Sequence, residues 1–216
     1  MSVTMFMKCI EINDIEGAEE ALGKLGDEHF AQNDNLTSPL VHAIVRKRRP
    51  MVKLLLEQIS AFDDHIISNT YLCAAVESGE RNITKIILEK GANPNVLTSE
   101  GRALLHSLHT PVEIDMFQRH GANLNITDIG GKTILHYLVM KNRPDTLLLE
   151  WLVNRGVDPN TRDLEGNNAL HTFALYGNEN LSHSRRGSLI QRLLDVGTDP
   201  TAQNNDGSTA AQLLNF

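Results

Sequence analysis

Three histidines could do chemistry here: His106, His136 and His171 lie 30 and 35 residues apart, each closing a similar phrase. The phrases are Ala103-Leu104-Leu105-His106, Thr133-Ile134-Leu135-His136 and Asn168-Ala169-Leu170-His171. Imidazole is a common metal ligand, but at this spacing each histidine falls on its own helix. Neighbouring helix axes stand about 8–10 Å apart, whereas zinc holds its nitrogens at about 2.0–2.1 Å. The expectation is structural hydrogen bonding, with no metal. Gly131-Lys132-Thr133 has the ending of a phosphate-binding loop, yet Ile126 stands where that loop needs its first glycine. No Cys-x-x-Cys, His-Glu-x-x-His or Gly-x-Ser-x-Gly occurs, and the carboxylates form no obvious convergent pair. The sequence therefore predicts no catalytic group and no cofactor.

The elements that carry these residues follow from composition. Apolar residues make up 41% of the 216, enough to close a core, while aromatics are only 5%. That core must be built from Leu, Ile, Val and Ala, which favours packed helices. A formal charge of −7 disfavours nucleic acid and anionic membranes, because neutralising phosphates takes a basic face; protein partners are expected instead. Two cysteines, Cys9 and Cys73, are too few for a disulfide framework and suit a reducing compartment. The first ten residues lack the pattern of a secretion signal, and no run of about 18 apolar residues exists. The expected location is cytoplasmic, with the nucleus as the alternative, so the sequons at Asn35, Asn82, Asn125 and Asn180 are read as chance.

Self-comparison decides the fold. Gly91-Ala92-Asn93-Pro94-Asn95, Gly121-Ala122-Asn123-Leu124-Asn125, Gly156-Val157-Asp158-Pro159-Asn160 and Gly197-Thr198-Asp199-Pro200-Thr201 are versions of one phrase at spacings of 30, 35 and 41. Between them fall the histidine phrases, with fainter copies at Ser38-Pro39-Leu40 and Thr70-Tyr71-Leu72. The chain resembles the ankyrin-repeat family, whose unit of about 33 residues carries a Thr-Pro-Leu-His-x-Ala signature. The resemblance covers nearly the whole chain and implies an all-α solenoid of stacked helix-turn-helix units joined by hairpin-like fingers, forming a single domain. Expected repeats are 1–32, 33–64, 65–97, 98–127, 128–162, 163–203 and a partial cap at 204–216, with atypical ends because one face meets water.

Local chemistry fits this plan. Thr133 is expected to cap a first helix, and Ser78-Gly79 or Gly177 to end one where a left-handed residue is needed. Second helices are read at Val52 to Leu56, Ile83 to Leu88, Leu147 to Leu152 and Leu189 to Leu194; an N-terminal pair is read at Met5 to Ile12 and Ile15 to Leu25. Asp128-Ile129-Gly130-Gly131 and Asp163-Leu164-Glu165-Gly166 read as finger turns. The resemblance further implies that the signature histidines tie adjacent loops together.

The family binds through fingertips and exposed first-helix positions, which implies a partner-binding set here of Ile129, Lys132, Met140, Lys141, Leu164, Glu165, Leu175 and Tyr176. Asn167, Ser99, Glu100 and Arg102 are further fingertip positions; Glu77 and Ser78 are the helix counterparts nearer the N-terminus. Ile129, Met140, Leu164, Leu175 and Tyr176 are apolar or aromatic where the fold itself wants polar residues, the mark of an interface. The run Arg46-Lys47-Arg48-Arg49 reads as a solvated turn before Pro50, with an acidic partner or nuclear import as the other reading. Arg185-Arg186-Gly187-Ser188 falls in an inserted loop, residues 178–188, and resembles a basophilic kinase site with Ser188 as acceptor. The expected function is a non-enzymatic adaptor or masking inhibitor, monomeric when free, that binds a signalling factor; the alternative is a regulatory subunit of a protein kinase.

Overall fold

A computed structural model describes residues 3–22, 39–57, 65–141, 144–177 and 181–214. They form two compact units, Met1–Val96 and Leu97–Phe216, and the division falls beside the repeat boundary expected at 97/98. Among the described residues there are helices and turns but no strand; two isolated bridges, Leu97 with Ala103 and Gln203 with Thr209, close the bases of two fingers.

The first unit runs α1 (Val3–Ile12), α2 (Ile15–Leu22), α3 (Pro39–Val45), α4 (Arg49–Glu57), α5 (His65–Ser78) and α6 (Arg81–Glu89). Helix α2 is described to Leu22, so its expected reach to Leu25 lies outside the described residues, as do Ser38 and the sequon at Asn35. Leu40 and Ile44 of α3 and Met51, Val52, Leu55 and Leu56 of α4 are buried. They follow the three-to-four spacing that puts one helix face into a core, and burying each such side chain is worth roughly 1.5–3 kcal/mol. In the basic run Arg46, Lys47 and Arg49 are exposed and Arg48 is half-buried. Lys47 takes a left-handed conformation (φ 57°) and ends α3 where glycine is usual. Arg48 donates to the Glu11 carbonyl (2.9 Å), and Arg49 pairs with Glu80 (2.6 Å).

In the second unit the order is a 3-10 turn (Leu104–Ser107), α7 (Pro111–Arg119), α8 (Ile134–Val139), α9 (Thr146–Val153), α10 (Ala169–Thr172), a π-helical turn (Phe173–Gly177), α11 (His183–Asp195) and α12 (Ala210–Leu213). Two departures from regular helix pairs stand out. The 30-residue repeat accommodates its deletion by shrinking its first helix to the 3-10 turn. The 41-residue repeat widens its first helix into a π turn, an irregularity common at functional sites.

Two glycines do different work. Gly79 ends α5 with φ 72°, as expected. Gly177 does not adopt a left-handed conformation; it is required because a Cβ there would strike the Val139 carbonyl and come within 2.6 Å of the Phe173 ring. The inserted segment is also not a loop throughout: α11 begins at His183, which puts Arg185, Arg186 and Ser188 on a helix, while residues 178–180 lie outside the described set, the sequon at Asn180 among them.

Candidate functional site

The face of interest in the second unit is built by four fingers. Each is closed by a backbone bond: Thr98 to the Arg102 carbonyl (2.8 Å), Asp128 to Lys132 (3.0 Å), Asp163 to Asn167 (2.9 Å) and Asn204 to Ser208 (3.0 Å). In the last three the leading side chain shapes the turn, since Asp128 Oδ1 accepts from Gly130 (2.8 Å) and Lys132 (2.7 Å), Asp163 Oδ1 from Glu165 (3.0 Å) and Asn167 (2.8 Å), and Asn204 Oδ1 from Asp206 (3.2 Å) and Ser208 (3.0 Å). The tips then join in a ladder: Ile129 N–H donates to the Gly101 carbonyl (3.0 Å), Leu164 N–H to Gly130 (2.9 Å) and Asn205 N–H to Glu165 (3.0 Å). A Cβ on Gly131 would press within 3.0 Å of the Leu164 nitrogen, so the ladder needs a residue without one.

The histidines hold the fingers to the helices. His106 Nε2 donates to the Ile126 carbonyl (3.0 Å), His136 Nε2 reaches the Asn167 carbonyl (2.9 Å), and His171 Nε2 the Ser208 carbonyl (3.1 Å). Each bond runs from one repeat to the loop leading into the next, the tie that the family resemblance implies. At His136 the tautomer follows from its partners. Nδ1 accepts the Thr133 N–H (3.0 Å), so the ring proton sits on Nε2. Thr133 is therefore the N-cap of α8, but its backbone bond goes to a histidine ring where a capping box normally uses Glu or Gln. Burial lowers the pKa of His136, and burial takes His106 down to about 4.

The remaining sequence-predicted residues divide into free and engaged. Ile129 and Leu164 are about seven-tenths exposed (71% and 72%) at the fingertips, and Tyr176 (54%) and Leu175 (37%) project from the π turn. Leu164, Glu165, Leu175 and Tyr176 come together with Asp206 and Leu213 around an open groove of about 490 Å³. Ile129 stands on the face but leans over Gly101, where an added Cβ would meet its Cδ1 at 2.6 Å. Met140 is half-buried at the end of α8.

Lys132 is not free for a partner: its ammonium lies 3.2 Å from the fully buried Asp163 carboxylate. Burial alone would lower its pKa, yet Asp163 raises it. Asn167 is not a tip but a buried link that accepts from Asn204 Nδ2 (3.1 Å). Geometry speaks against the phosphate-loop reading of Gly131-Lys132-Thr133, because the lysine is committed to Asp163 and Thr133 is buried.

Sequence reasoning also missed a cluster. The Tyr137 hydroxyl donates to Asp128 Oδ2 (2.6 Å), and the Arg102 guanidinium lies 4.2 Å from the Tyr137 ring centre. Burial and then Asp128 push the Tyr137 phenol up to about 12. Burial would raise the Asp128 pKa, but hydrogen bonds from Tyr137, Lys132 and Gly130 hold it below the usual carboxylate range.

Elsewhere, exposed Ser188 and Arg185 border a small cavity of about 260 Å³ beside Thr146, and Arg186 is bonded to the Leu181 carbonyl (2.9 Å). Cys9 and Cys73 are free thiols, and burial pushes Cys73 up to about 11, away from thiolate reactivity. No described helix is long and apolar enough to cross a membrane, and no group of three or more His, Cys, Asp or Glu among the described residues could hold a metal ion.

Comparisons with known proteins agree with this architecture. Family models for ankyrin repeats match residues 6–98 and 135–183. Human ankyrin repeat and SOCS box protein 6 is 30% identical over 181 residues, covering 80% of this chain and 41% of that protein. The chicken nuclear factor NF-kappa-B p105 subunit is 28% identical over 192 residues (82% of this chain, 19% of that protein), and putative ankyrin repeat protein L371 of Acanthamoeba polyphaga mimivirus is 28% identical over 161 (72% and 20%). The match thus spans 41% or less of the length of these relatives. Among solved structures, the ankyrin repeat domain of Bcl-3, a member of the IkappaB protein family, superposes with a TM-score of 0.73 at 19% identity over 97% of this chain and 92% of that one. Signature histidines, finger ladder, family models and relatives converge: the chain belongs to the ankyrin-repeat family.

Proposed function

We propose that this chain is a non-enzymatic adaptor or masking module that holds another protein on the finger-and-first-helix face of the Leu97–Phe216 unit. Ankyrin repeats are protein–protein interaction modules, which sets the class. The observation that carries the site is the groove. Leu164, Leu175 and Tyr176 are apolar and open to solvent around it, while Leu170 and Phe173 of the same repeat are buried in the stack. An exposed apolar patch around a concavity marks an interaction site, and tyrosine is among the residues that dominate binding energy at protein interfaces. Ile129 and Met140 extend that surface. Lys141 and Glu165 supply its charged margin, and Lys132 acts indirectly by holding Asp163. No observation on the described residues favours a kinase subunit over another partner. Phosphorylation of Ser188 would act beside Thr146 at the start of α9, and a kinase would need α11 to unwind around it.

The test is recovery of binding proteins from the native source on the intact chain and on Tyr176→Ala, with matched thermal melts. A partner held by the intact chain should bind the variant more weakly by about 1–2 kcal/mol or more, with the melting temperature unchanged. A variant that unfolds would place Tyr176 in the core and remove the proposal. Equal retention by both forms would move the site elsewhere.

A further inference from the structure

The face just described is electrically divided, and the division is not visible in the overall charge of −7. At one end lie cations without carboxylate partners. The Lys141 ammonium is half-buried and donates to His109 Nδ1 at 2.9 Å, a neutral acceptor; among the described residues no carboxylate forms an ion pair with it. Burial, and then Arg102, lower the Lys141 pKa, and Asp145 opposes them only in part. Asp145 itself is occupied as the cap of α9, accepting from Leu147 and Leu148 (both 3.0 Å). Arg102 donates to the His106 carbonyl (2.9 Å) and covers Tyr137, while its Nε is buried with no partner. Of the nearby acids, Asp128 is taken by Tyr137 and its own finger, Glu113 by Thr110 (2.9 Å) and the His109 N–H (3.4 Å), and Glu100 is exposed at the neighbouring fingertip.

At the other end the surplus is negative. Glu165 and Asp206 are exposed at the groove and form no ion pair among the described residues. The nearest cation, Lys132, is committed to Asp163. Leu164, Leu175 and Tyr176 share the groove with Glu165 and Asp206, and Met140 adjoins Lys141. From the repeat of Lys141 to that of Asp206 is two helix steps of about 8–10 Å, a span of roughly five or six residues of extended chain at about 3.3 Å each.

Resting on the proposed binding role, we infer that the occupant is a bipolar segment of another protein. It carries an Asp or Glu that meets Lys141, His109 and Arg102, apolar side chains in the groove, and a Lys or Arg five or six residues away that meets Glu165 and Asp206. The arrangement fixes the direction in which the segment lies, because reversing it sets like charges together at both ends.

The test is selection of random 12-residue displayed peptides on the intact chain, followed by fluorescence anisotropy with one enriched peptide. Enriched sequences should place an acidic residue five or six positions from a basic one, with apolar residues between. Lys141→Glu should weaken that peptide at least tenfold, and changing the peptide's acidic residue to Lys should restore it. Glu165→Lys with Asp206→Lys should be rescued by the converse change. Lys141→Gln, with melts on every variant, covers the chance that a charge reversal perturbs folding. Enriched peptides without the charge pattern, absence of enrichment, or Lys141 variants within twofold of the parent would overturn the inference. If Tyr176→Ala abolishes binding while the charge variants are inert, the polarity fails and the groove stands. If Tyr176→Ala is inert as well, both fail.

Discussion

Lowering the pH should destabilise the Leu97–Phe216 unit through His106, and the size can be worked out. Burial holds this imidazole near a pKa of about 4 in the folded protein, against about 6.5 in an unfolded chain. Its buried Nδ1 has no acceptor, so a second ring proton would add an unpaired charge inside the repeat. The folded pKa is depressed, so between the two values the unfolded state binds more protons. The contribution is fully present above pH 6.5 and is lost as pH falls toward 4. Linkage gives a loss of about 2 kcal/mol by pH 5 and about 3 kcal/mol by pH 4. His136 should add to it in the same direction, because protonating Nδ1 breaks the bond from the Thr133 N–H. The assay is urea unfolding at pH 7, 6, 5 and 4 on the parent and on His106→Gln, which keeps an N–H donor for Ile126 but cannot titrate. Carboxylates such as Asp128 titrate in both proteins, so the difference between the two pH profiles isolates His106. The variant should lose about 3 kcal/mol less between pH 7 and 4. Parallel profiles, or a folded His106 resonance titrating near 6.5 by NMR, would refute the reasoning.

Three further outcomes follow from packing. Leu135→Ala removes a buried side chain from α8 and should cost about 2–5 kcal/mol in urea unfolding. Gly177→Ala should cost about 1–3 kcal/mol, since its methyl group meets the Val139 carbonyl and Phe173 ring; an unchanged midpoint would mean the π turn yields freely. Lys132→Met leaves the buried Asp163 carboxylate uncompensated and should destabilise by about 3 kcal/mol, whereas a loss of partner binding with full stability would return Lys132 to the interface.

Much of this protein was legible in the order of its residues. The four Gly-led phrases, the signature histidines and the Asp-led turns are short-range patterns, and short-range geometry sets helix ends, turn shape and the alternation of buried and exposed positions. For that reason Ile129, Leu164, Leu175 and Tyr176 could be placed on the surface by their position in the repeat. The exact bounds of α11 and the π turn could not be placed, because an insertion of eight residues fits a loop or a longer helix equally well by pattern.

What only the tertiary structure decided are contacts made across repeats. Lys132 with Asp163 and Lys141 with His109 join residues 31 and 32 positions apart, while Asn204 with Asn167 spans 37. Such pairs depend on how neighbouring repeats slide and stack once their cores are packed, a register that no single repeat encodes. The same stacking leaves Lys141 without a carboxylate and Glu165 without a cation. The list of repeats is therefore a property of the chain, and the charge division of its binding face is a property of the packing.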